Sequence, residues 1–245
     1  MKRTVWLFGT LVALLFASVM PATAQSGPGP AQNTSFQLRI GQYAPLGGGD
    51  LWDGNEATFT LYADDFSGFV FGTTVATAVG NNLEVGFNLD FYDETVRSSY
   101  RDYVDEDGYR IYHDTTLRVI PLTVDLRFMP AGRYRITQQG KRIPRAVWYL
   151  GIGAGMNFWD YEEVGDFIDF DHPDLPIYGA RYRDDGVAFE AHALTGFELP
   201  VGRNFNVLLE ARYSWSETSM SRDFAGFGTL NLDAASFYFG GAWRF

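Results

Sequence analysis

The amino-acid sequence predicts an all-β protein, an eight-stranded antiparallel up-and-down transmembrane β-barrel. The chain contains repeated segments in which apolar and polar residues alternate, and its aromatic content is high, at 17%. After the N-terminal region, no apolar run reaches the roughly 18 residues that a membrane helix needs. Strict alternation is typical of a strand with one apolar face, and an even number of strands brings both ends of a barrel to the same side.

The N-terminus, "MKRTVWLFGTLVALLFASVMPATAQ", has the form of a secretory signal peptide. Lys2 and Arg3 supply the basic start, an apolar run follows, and small residues offer a cleavage site before Gln25. A membrane anchor is the alternative, but the apolar run is short for a span. We therefore expect a signal peptide at 1–24, a flexible leader at 25–34 and one barrel domain at 35–245.

Composition excludes several kinds of site and partner. There is no cysteine, so neither a disulfide framework nor a cysteine-ligated metal is available, and we expect no cofactor. The net charge is −11, and loss of the signal removes two positive charges. A nucleic-acid partner is not expected, because phosphate binding depends on a basic surface.

Eight alternating segments are predicted to be the strands. The clearest is "LEVGFNLDFY", in which Leu83 and Phe87 face one way while Glu84 and Asn88 face the other. The connections between strands 1–2, 3–4, 5–6 and 7–8 are long and rich in Asp, Tyr and Gly, whereas those between strands 2–3 and 6–7 are short. Barrels with long outer loops and short periplasmic turns show this pattern. The turn at 131–145 is long and basic, and the sequence assigns it no role. The predicted strands are residues 36–43, 68–79, 83–92, 115–129, 146–161, 187–199, 205–216 and 229–245.

Strand length separates a barrel from a secreted β-sandwich. In the seventh segment, one face runs from Phe205 to Trp215 and is aromatic at both ends. Ten residue steps of about 3.3 Å, tilted by about 40°, rise roughly 25 Å, which matches the lipid-facing band of an outer-membrane barrel. Trp148 and Phe158 repeat the spacing. We expect these four residues to form an aromatic girdle, which a sandwich would not need.

The signal peptide, the eight segments and the terminal "FYFGGAWRF" resemble the small eight-stranded outer-membrane barrels of Gram-negative bacteria, the OmpA-transmembrane, OmpX and OmpW group. The resemblance implies a porin-like barrel of the cell envelope, in contact with outer-membrane lipid and lipopolysaccharide. It also implies that Phe239, Trp243 and Phe245 form a signal for the barrel-assembly machinery. The implied role is structural or surface-interacting and non-enzymatic; an OmpW-like conduit for small hydrophobic molecules is the alternative.

The inward face of the predicted barrel carries charges of both signs. In a narrow eight-stranded interior such charges should pair and fill the space, which makes the lumen closed rather than open. This predicted lumen network comprises Arg39, Glu84, Asp90, Asp125, Arg127, Glu190, His192, Glu210 and Arg212.

A hydrolase triad is the catalytic alternative for part of this set. A short hairpin after the sixth strand would place Glu190 and His192 opposite Arg212 and Ser214, and Glu190, His192 and Ser214 could form a triad. No nucleophile motif accompanies them, and Arg212 beside His192 would disfavour the imidazolium that a general base must form. A lipid-modifying enzyme is therefore the least favoured function, and no catalytic residue is assigned.

The predicted outer loops are rich in carboxylates. Such runs are usually solvated loops, and "DEDG" at 105–108 lacks the remaining spacing of a calcium loop. The sharper hypothesis is that Asp166, Asp169, Asp171 and Asp174 hold divalent cations that bridge to lipopolysaccharide phosphates.

Overall fold

The computed structural model of the chain describes residues 33–138, 142–202 and 204–245. The predicted signal peptide and residues 25–32 of the predicted leader lie outside these ranges. The first strand begins at Thr34, at the predicted boundary between leader and barrel.

Antiparallel strands dominate the described chain. The α-helix α1 spans Asp50–Thr58, and two 3-10 helices span Ala63–Phe66 and Arg222–Phe224. The strands are β1 Thr34–Pro45, β2 Gly68–Val79, β3 Leu83–Val104, β4 Arg110–Phe128, β5 Tyr134–Ile136, β6 Arg142–Pro144, β7 Val147–Ile168, β8 Ile177–Pro200, β9 Phe205–Ser219, β10 Thr229–Asn231 and β11 Ala234–Arg244.

Eight of the strands close into a ring, so the predicted fold class is confirmed. The order around the ring is β1, β2, β3, β4, β7, β8, β9 and β11, each strand antiparallel to its neighbours. The last and first strands close it, with Phe239 opposite Ile40 and Trp243 opposite Phe36. A closed ring leaves no free edge within the apolar band, so the ladder satisfies the backbone polar groups there, as a membrane barrel requires.

The pleat sends apolar residues outward and polar residues inward over one part of every long strand. Phe87 is 59% exposed, whereas its neighbours Gly86 and Asn88 point into the interior. Ile152 is 68% exposed in the same way. This outward apolar band is the surface expected to contact lipid.

Four neighbouring strands extend beyond the apolar band. Strands β3, β4, β7 and β8 have 19 to 24 residues, whereas β1, β2, β9 and β11 have 11 to 15. The segments 98–114 and 162–186, predicted mainly as loops, therefore consist largely of strand. Beyond the band, the outward residues of these four strands are polar. The alternation of apolar and polar residues therefore ends there, although the hydrogen-bonded pairing of the strands continues. We call residues 93–104, 110–118, 160–168 and 177–185 the outer extension, and this end of the barrel the outer end.

The connection between β1 and β2 folds into the outer mouth of the barrel. It contains α1 and the first 3-10 helix, and we call residues 46–67 the plug. Leu51, Trp52, Leu61 and Phe66 of the plug are at most 1% exposed. Within the described ranges, no helix has the length and hydropathy to cross a membrane.

The long basic turn forms a small hairpin at the opposite, inner end. Strands β5 and β6 pair there, separate from the barrel sheet. The predicted eighth strand is divided: β10 pairs with the outer end of β9, and only β11 enters the ring. The structure therefore gives the turn and the last outer loop their own local structure.

Candidate functional site

The barrel interior has two layers of different chemistry. The layer towards the inner end, which we call the charged layer, contains buried arginines and carboxylates contributed mainly by the strands. The layer towards the outer end, which we call the outer chamber, is filled by the plug and by a cluster of buried apolar and aromatic residues. Every residue of the predicted lumen network points inward and is at most 5% exposed.

Four residues form the centre of the charged layer. Arg39 on β1 contacts Asp90 at 2.8 Å and Glu210 at 2.6 Å. Arg212 contacts the same two carboxylates, at 2.8 Å and 3.1 Å. Each carboxylate thus accepts from two guanidinium groups, and the Tyr238 ring lies 4.7 Å from the Arg39 guanidinium. Charge-assisted hydrogen bonds shared among four groups in this way offset the desolvation of the charges.

Arg127 extends the network towards the inner end. Its guanidinium lies 3.0 Å from Asp125, 3.4 Å from Glu210 and 3.9 Å from Glu84. It also donates to the Gln37 side-chain oxygen at 3.1 Å. Seven of the nine predicted residues therefore share one continuous set of contacts, in which Glu84 and Asp125 take part through Arg127.

Two arginines beyond these nine residues complete the inner end: Arg244, which the alternation of the last strand also predicts to face inward, and Arg133, which the sequence did not predict there. Arg133, from the long basic turn, is 3% exposed and pairs with Glu84. Arg244 pairs with Glu198, which also accepts from Asn206 at 2.9 Å. The turn thus supplies a cation to the lumen. The sequence signal was the basic character of 131–145, which no strand pattern could connect to Glu84.

Glu190 and His192 form a separate pair. The His192 Nδ1 atom lies 3.3 Å from Glu190 Oε1. The strand register sets Glu190 opposite Ser216 and His192 opposite Ser214, while Arg212 lies opposite Leu194. The expected register, with Arg212 and Ser214 opposite this pair, is wrong by two residues, because the ladder ends at Pro200 and Asn206 and leaves a longer turn.

The surroundings of His192 favour a packing role. A Cβ atom on Gly153 would lie 2.4 Å from His192 Nε2, so the ring packs against the barrel wall at this glycine. Ser214 Oγ donates to the Ala234 carbonyl oxygen at 3.3 Å. No hydrogen bond joins Ser214 to His192 in the described part of the chain, so the triad geometry is not formed.

The plug is attached to the barrel wall by hydrogen bonds. Trp52 Nε1 donates to the Asn231 carbonyl oxygen at 2.8 Å, and Asn55 Nδ2 donates to the Tyr161 hydroxyl at 2.7 Å. Thr60 N donates to the Ser99 carbonyl oxygen at 2.8 Å. These contacts hold the plug against the inner surfaces of β3, β7 and β10.

Linked aromatic rings line the outer chamber. Tyr100, Phe59, His113, Phe167, Tyr182 and Phe224 contact one another in that order, with centroid distances from 4.2 to 6.4 Å, and we call these six the aromatic collar. Tyr161 continues the series, 5.2 Å from Phe224. Most contacts are edge-to-face, the geometry that ring quadrupoles favour.

Glu163 is the buried carboxylate of the outer chamber. It is 4% exposed and accepts a hydrogen bond from the Tyr161 hydroxyl at 2.6 Å. It lies in the outer extension, where burial raises its pKa to about 7. Burial also lowers the pKa of His113 to about 4, so that imidazole is neutral at pH 7. The sequence did not single out Glu163, because the segment after residue 161 was interpreted as a loop, in which no inward face is defined.

The acidic residues proposed to hold divalent cations lie at or near the tip of the β7–β8 hairpin. Asp166 is in β7, and Asp169, Asp171 and Asp174 are in the connection that follows. The Asp169 carboxylate accepts from the Asp171 backbone. Among the described residues, no three acidic or histidine side chains gather in a group that could hold a metal ion.

The predicted girdle and terminal aromatics are on the outward face. Trp148 and Trp215 are 44% and 47% exposed, and Phe158 and Phe205 are partly exposed. The three terminal aromatics are exposed to a similar degree, and they are Phe239, Trp243 and Phe245. Phe205 also packs against Trp243, with ring centroids 4.9 Å apart.

Comparison with known proteins finds similarity in structure only. No sequence-family profile and no curated protein sequence matches the chain. Neisserial surface protein A matches at 12% identity and a TM-score of 0.44, over 89% of this chain and 100% of that one. The outer membrane protein OprG of Pseudomonas aeruginosa matches at 12% and 0.46, over 87% and 96%. The Escherichia coli outer membrane protease OmpT matches at 8% and 0.43, over 91% and 100%.

Proposed function

We propose that the protein is a structural or surface-interacting barrel of a Gram-negative outer membrane, with no enzymatic activity and no open pore. The observation that carries the proposal is the filled interior. The charged layer occupies one part of the lumen, and the plug occupies the outer mouth. An eight-stranded barrel has room only for side chains or one small ligand, and with the plug in place both layers are occupied.

The outer extension supports a role at the cell surface. Its two hairpins stand beyond the apolar band, and their tips present exposed aromatic residues, with Tyr109 at 70% and Phe170 at 52%. Aromatic side chains on a rigid scaffold are typical of recognition surfaces. Surface interaction through these hairpins is therefore the favoured form of the proposed role.

Lipopolysaccharide is the proposed lipid partner. Directly beyond the apolar band, exposed arginines lie beside carboxylates: Arg118 is 2.5 Å from Asp93, and Arg183 pairs with Asp160. Exposed pairs contribute only about 0–1 kcal/mol to stability. Their position suits headgroup phosphates, which arginine binds well, with divalent cations bridging the carboxylates. Weaker binding of lipopolysaccharide by an Arg118→Gln/Arg183→Gln variant would support this partner, and unchanged binding would remove it.

The barrel-assembly machinery is the proposed partner during insertion. Deleting Phe245 removes an outward aromatic, worth about 1.5–3 kcal/mol of burial, and its two backbone hydrogen bonds with Thr34. A much larger fall in outer-membrane level than in export would indicate lost recognition. Normal levels of the shortened protein would contradict the targeting role.

Planar-bilayer conductance tests the filled lumen. We expect little conductance from the parent protein, and steady large conductance would contradict the proposal.

The second candidate function is a conduit for small hydrophobic molecules. It is favoured by one observation, that the outer chamber is apolar and closed by loop residues rather than by strands. Uptake of hydrophobic solutes into vesicles that contain the protein would favour the conduit.

A further inference from the structure

Glu163 differs from the other buried carboxylates in its partners. Six of the eight buried carboxylates in the described ranges pair with arginine or histidine, and they are Glu84, Asp90, Asp125, Glu190, Glu198 and Glu210. Asp184 accepts from Ser221 N, Ser221 Oγ and Asp185 N. Glu163 has the Tyr161 hydroxyl and no cationic partner among the described side chains.

The inward residues opposite Glu163 on the two neighbouring strands carry no positive charge. Its register partners are Thr115 on β4 and Tyr182 on β8. Along β7 it lies between Tyr161 and Phe167 on the same inward face. His113, on the next inward position of β4, is neutral at pH 7. A buried carboxylate with a single hydrogen bond is unfavourable unless a proton or a cation compensates it.

The groups around this carboxylate are largely aromatic. Tyr182 and Phe167 belong to the aromatic collar, and Tyr161 contacts Phe224 of the collar. The faces of aromatic rings attract cations, most strongly where water is excluded, and organic ammonium ions are bound by such rings. A carboxylate together with several aromatic rings therefore matches a cation that also has an apolar surface.

We propose that the outer chamber is a binding site for a small organic cation, an ammonium group with a compact apolar body. Glu163 provides the opposite charge, and the aromatic collar provides the aromatic walls. This site goes beyond the structural and surface role proposed above, and it does not require a channel through the charged layer.

The plug is the lid of the site. Asn55 donates to the Tyr161 hydroxyl, which in turn donates to Glu163, so α1 is linked to the carboxylate through one tyrosine. Gly47, Gly48 and Gly49 precede α1 with φ of 72°, 87° and 84°, a conformation that glycine adopts freely. The helix has nine residues and no side-chain N-cap, so it depends on its contacts with the wall. Opening of the plug would expose Glu163 to the outer side.

Choline and its neutral isostere 3,3-dimethylbutan-1-ol are suitable probes, because they differ mainly in charge. Titration calorimetry of the purified protein in a maltoside detergent avoids any choline headgroup. We expect saturable binding of choline, at least tenfold tighter than that of the alcohol. Glu163→Gln should weaken choline binding at least tenfold and leave the alcohol unaffected.

Glu162→Gln is the matched control, because Glu162 points outward and pairs with Arg181. Equal choline affinity in Glu163→Gln and Glu162→Gln would overturn the site, as would equal affinity of the parent for both probes. If the parent binds no choline, the same titration is made with Asn55→Ala, which weakens the attachment of the plug and so opens access to the site. Absence of saturable binding in that variant as well would also overturn the proposal.

A disulfide can test the lid, since the chain has no cysteine. Thr60 Oγ1 and Ser99 Oγ lie 3.4 Å apart, one on the plug and the other on β3. In Thr60→Cys/Ser99→Cys, oxidation should slow choline binding at least tenfold, and reduction should restore it. Equal binding rates in the two forms would overturn the plug as the lid.

Discussion

The charged layer and the outer chamber fill the same barrel by different means. The charged layer is filled by side chains of the strands, helped by Arg133 from the inner turn. The outer chamber is filled by the plug, a separate segment that enters from the outer mouth. The side chains of the charged layer cannot move out of the lumen without disrupting the barrel. The plug is a loop segment, attached to the wall by contacts that can break while the strands stay paired.

This difference indicates that the two layers contribute to different properties. Ion pairs that connect distant strands stabilise the closed ring as a whole. Contacts of the plug stabilise one local arrangement, which can open while the ring stays intact. Mutations in the charged layer should therefore change global unfolding, and mutations in the outer chamber should change the exposure of the plug.

The largest effect is expected from Arg212→Ala. The change leaves Asp90 and Glu210 each with one guanidinium fewer in a dry interior, and breaking a buried pair costs about 3–5 kcal/mol. The thermal unfolding midpoint in detergent should fall clearly. Arg118→Ala is the matched control, because its pair with Asp93 is exposed and contributes about 0–1 kcal/mol. Equal shifts in the two variants would contradict a distinct charged layer.

Trp52→Ala should open the plug without unfolding the ring. Trp52 is fully buried, and its replacement should destabilise the closed plug by about 3 kcal/mol. This is at the lower end of the cost of a buried Trp→Ala substitution, because the neighbouring loop residues can repack into the space. Amide hydrogen exchange should increase in residues 50–66 while the global unfolding midpoint changes little. Phe227→Ala, at an exposed aromatic, is the control. A large fall in the global midpoint would show that the two layers unfold together.

Glu163 should contribute more to the stability of the plug in acid than at neutral pH, while His113, whose pKa is lowered by burial against Phe59, acts in the opposite direction. Burial raises the pKa of Glu163 to about 7 from about 4.5 when exposed, so the closed state binds the proton more tightly. This contribution is complete at low pH and is lost as the pH rises through about 7, a change of about 2 kcal/mol between pH 5 and pH 7. Amide exchange of the plug in the parent and in Glu163→Gln, compared at each pH, measures it. The same pH response in both would assign it to another group.

His192→Ala should have the smallest effect. Its contact with Glu190 is a single hydrogen bond, and one lost hydrogen bond costs about 1 kcal/mol. The unfolding midpoint should shift slightly, and neither conductance nor plug exchange should change. Lipid hydrolysis that disappears in this variant would instead establish an enzyme.

The sequence predicted the ring well because a membrane barrel imposes one strong pattern. Within the apolar band, outward residues must be apolar and inward ones small or polar, so Leu83 to Phe91 could be assigned to alternating faces. Beyond the band the outward residues are solvated, and both faces can be polar. The outer halves of β3, β4, β7 and β8 were therefore interpreted as loops.

The contacts inside the barrel were predictable only in part. The alternation of the strands was sufficient to place Arg39, Asp90 and Glu210 in the lumen. The ion-pair partner of each residue depends on the strand register, and a difference of two residues in the length of the β8–β9 turn changes that register. The roles of Arg133 and of the plug depend on the position at which the β4–β7 and β1–β2 connections fold into the lumen. No periodicity within a loop encodes that position, so Glu163 and its aromatic surroundings became visible only in the structure.

The salt bridges of the charged layer also bear on the order of assembly. Arg39 is on the first strand, and its partner Glu210 is 171 residues away on β9. Arg212 on β9 reaches back to Asp90 on β3. A nascent sheet that lacks its C-terminal strands would therefore carry uncompensated charges and could not retain them in lipid. Ring closure and charge neutralisation then coincide, so an incomplete chain would have to bury unpaired charges to enter the bilayer.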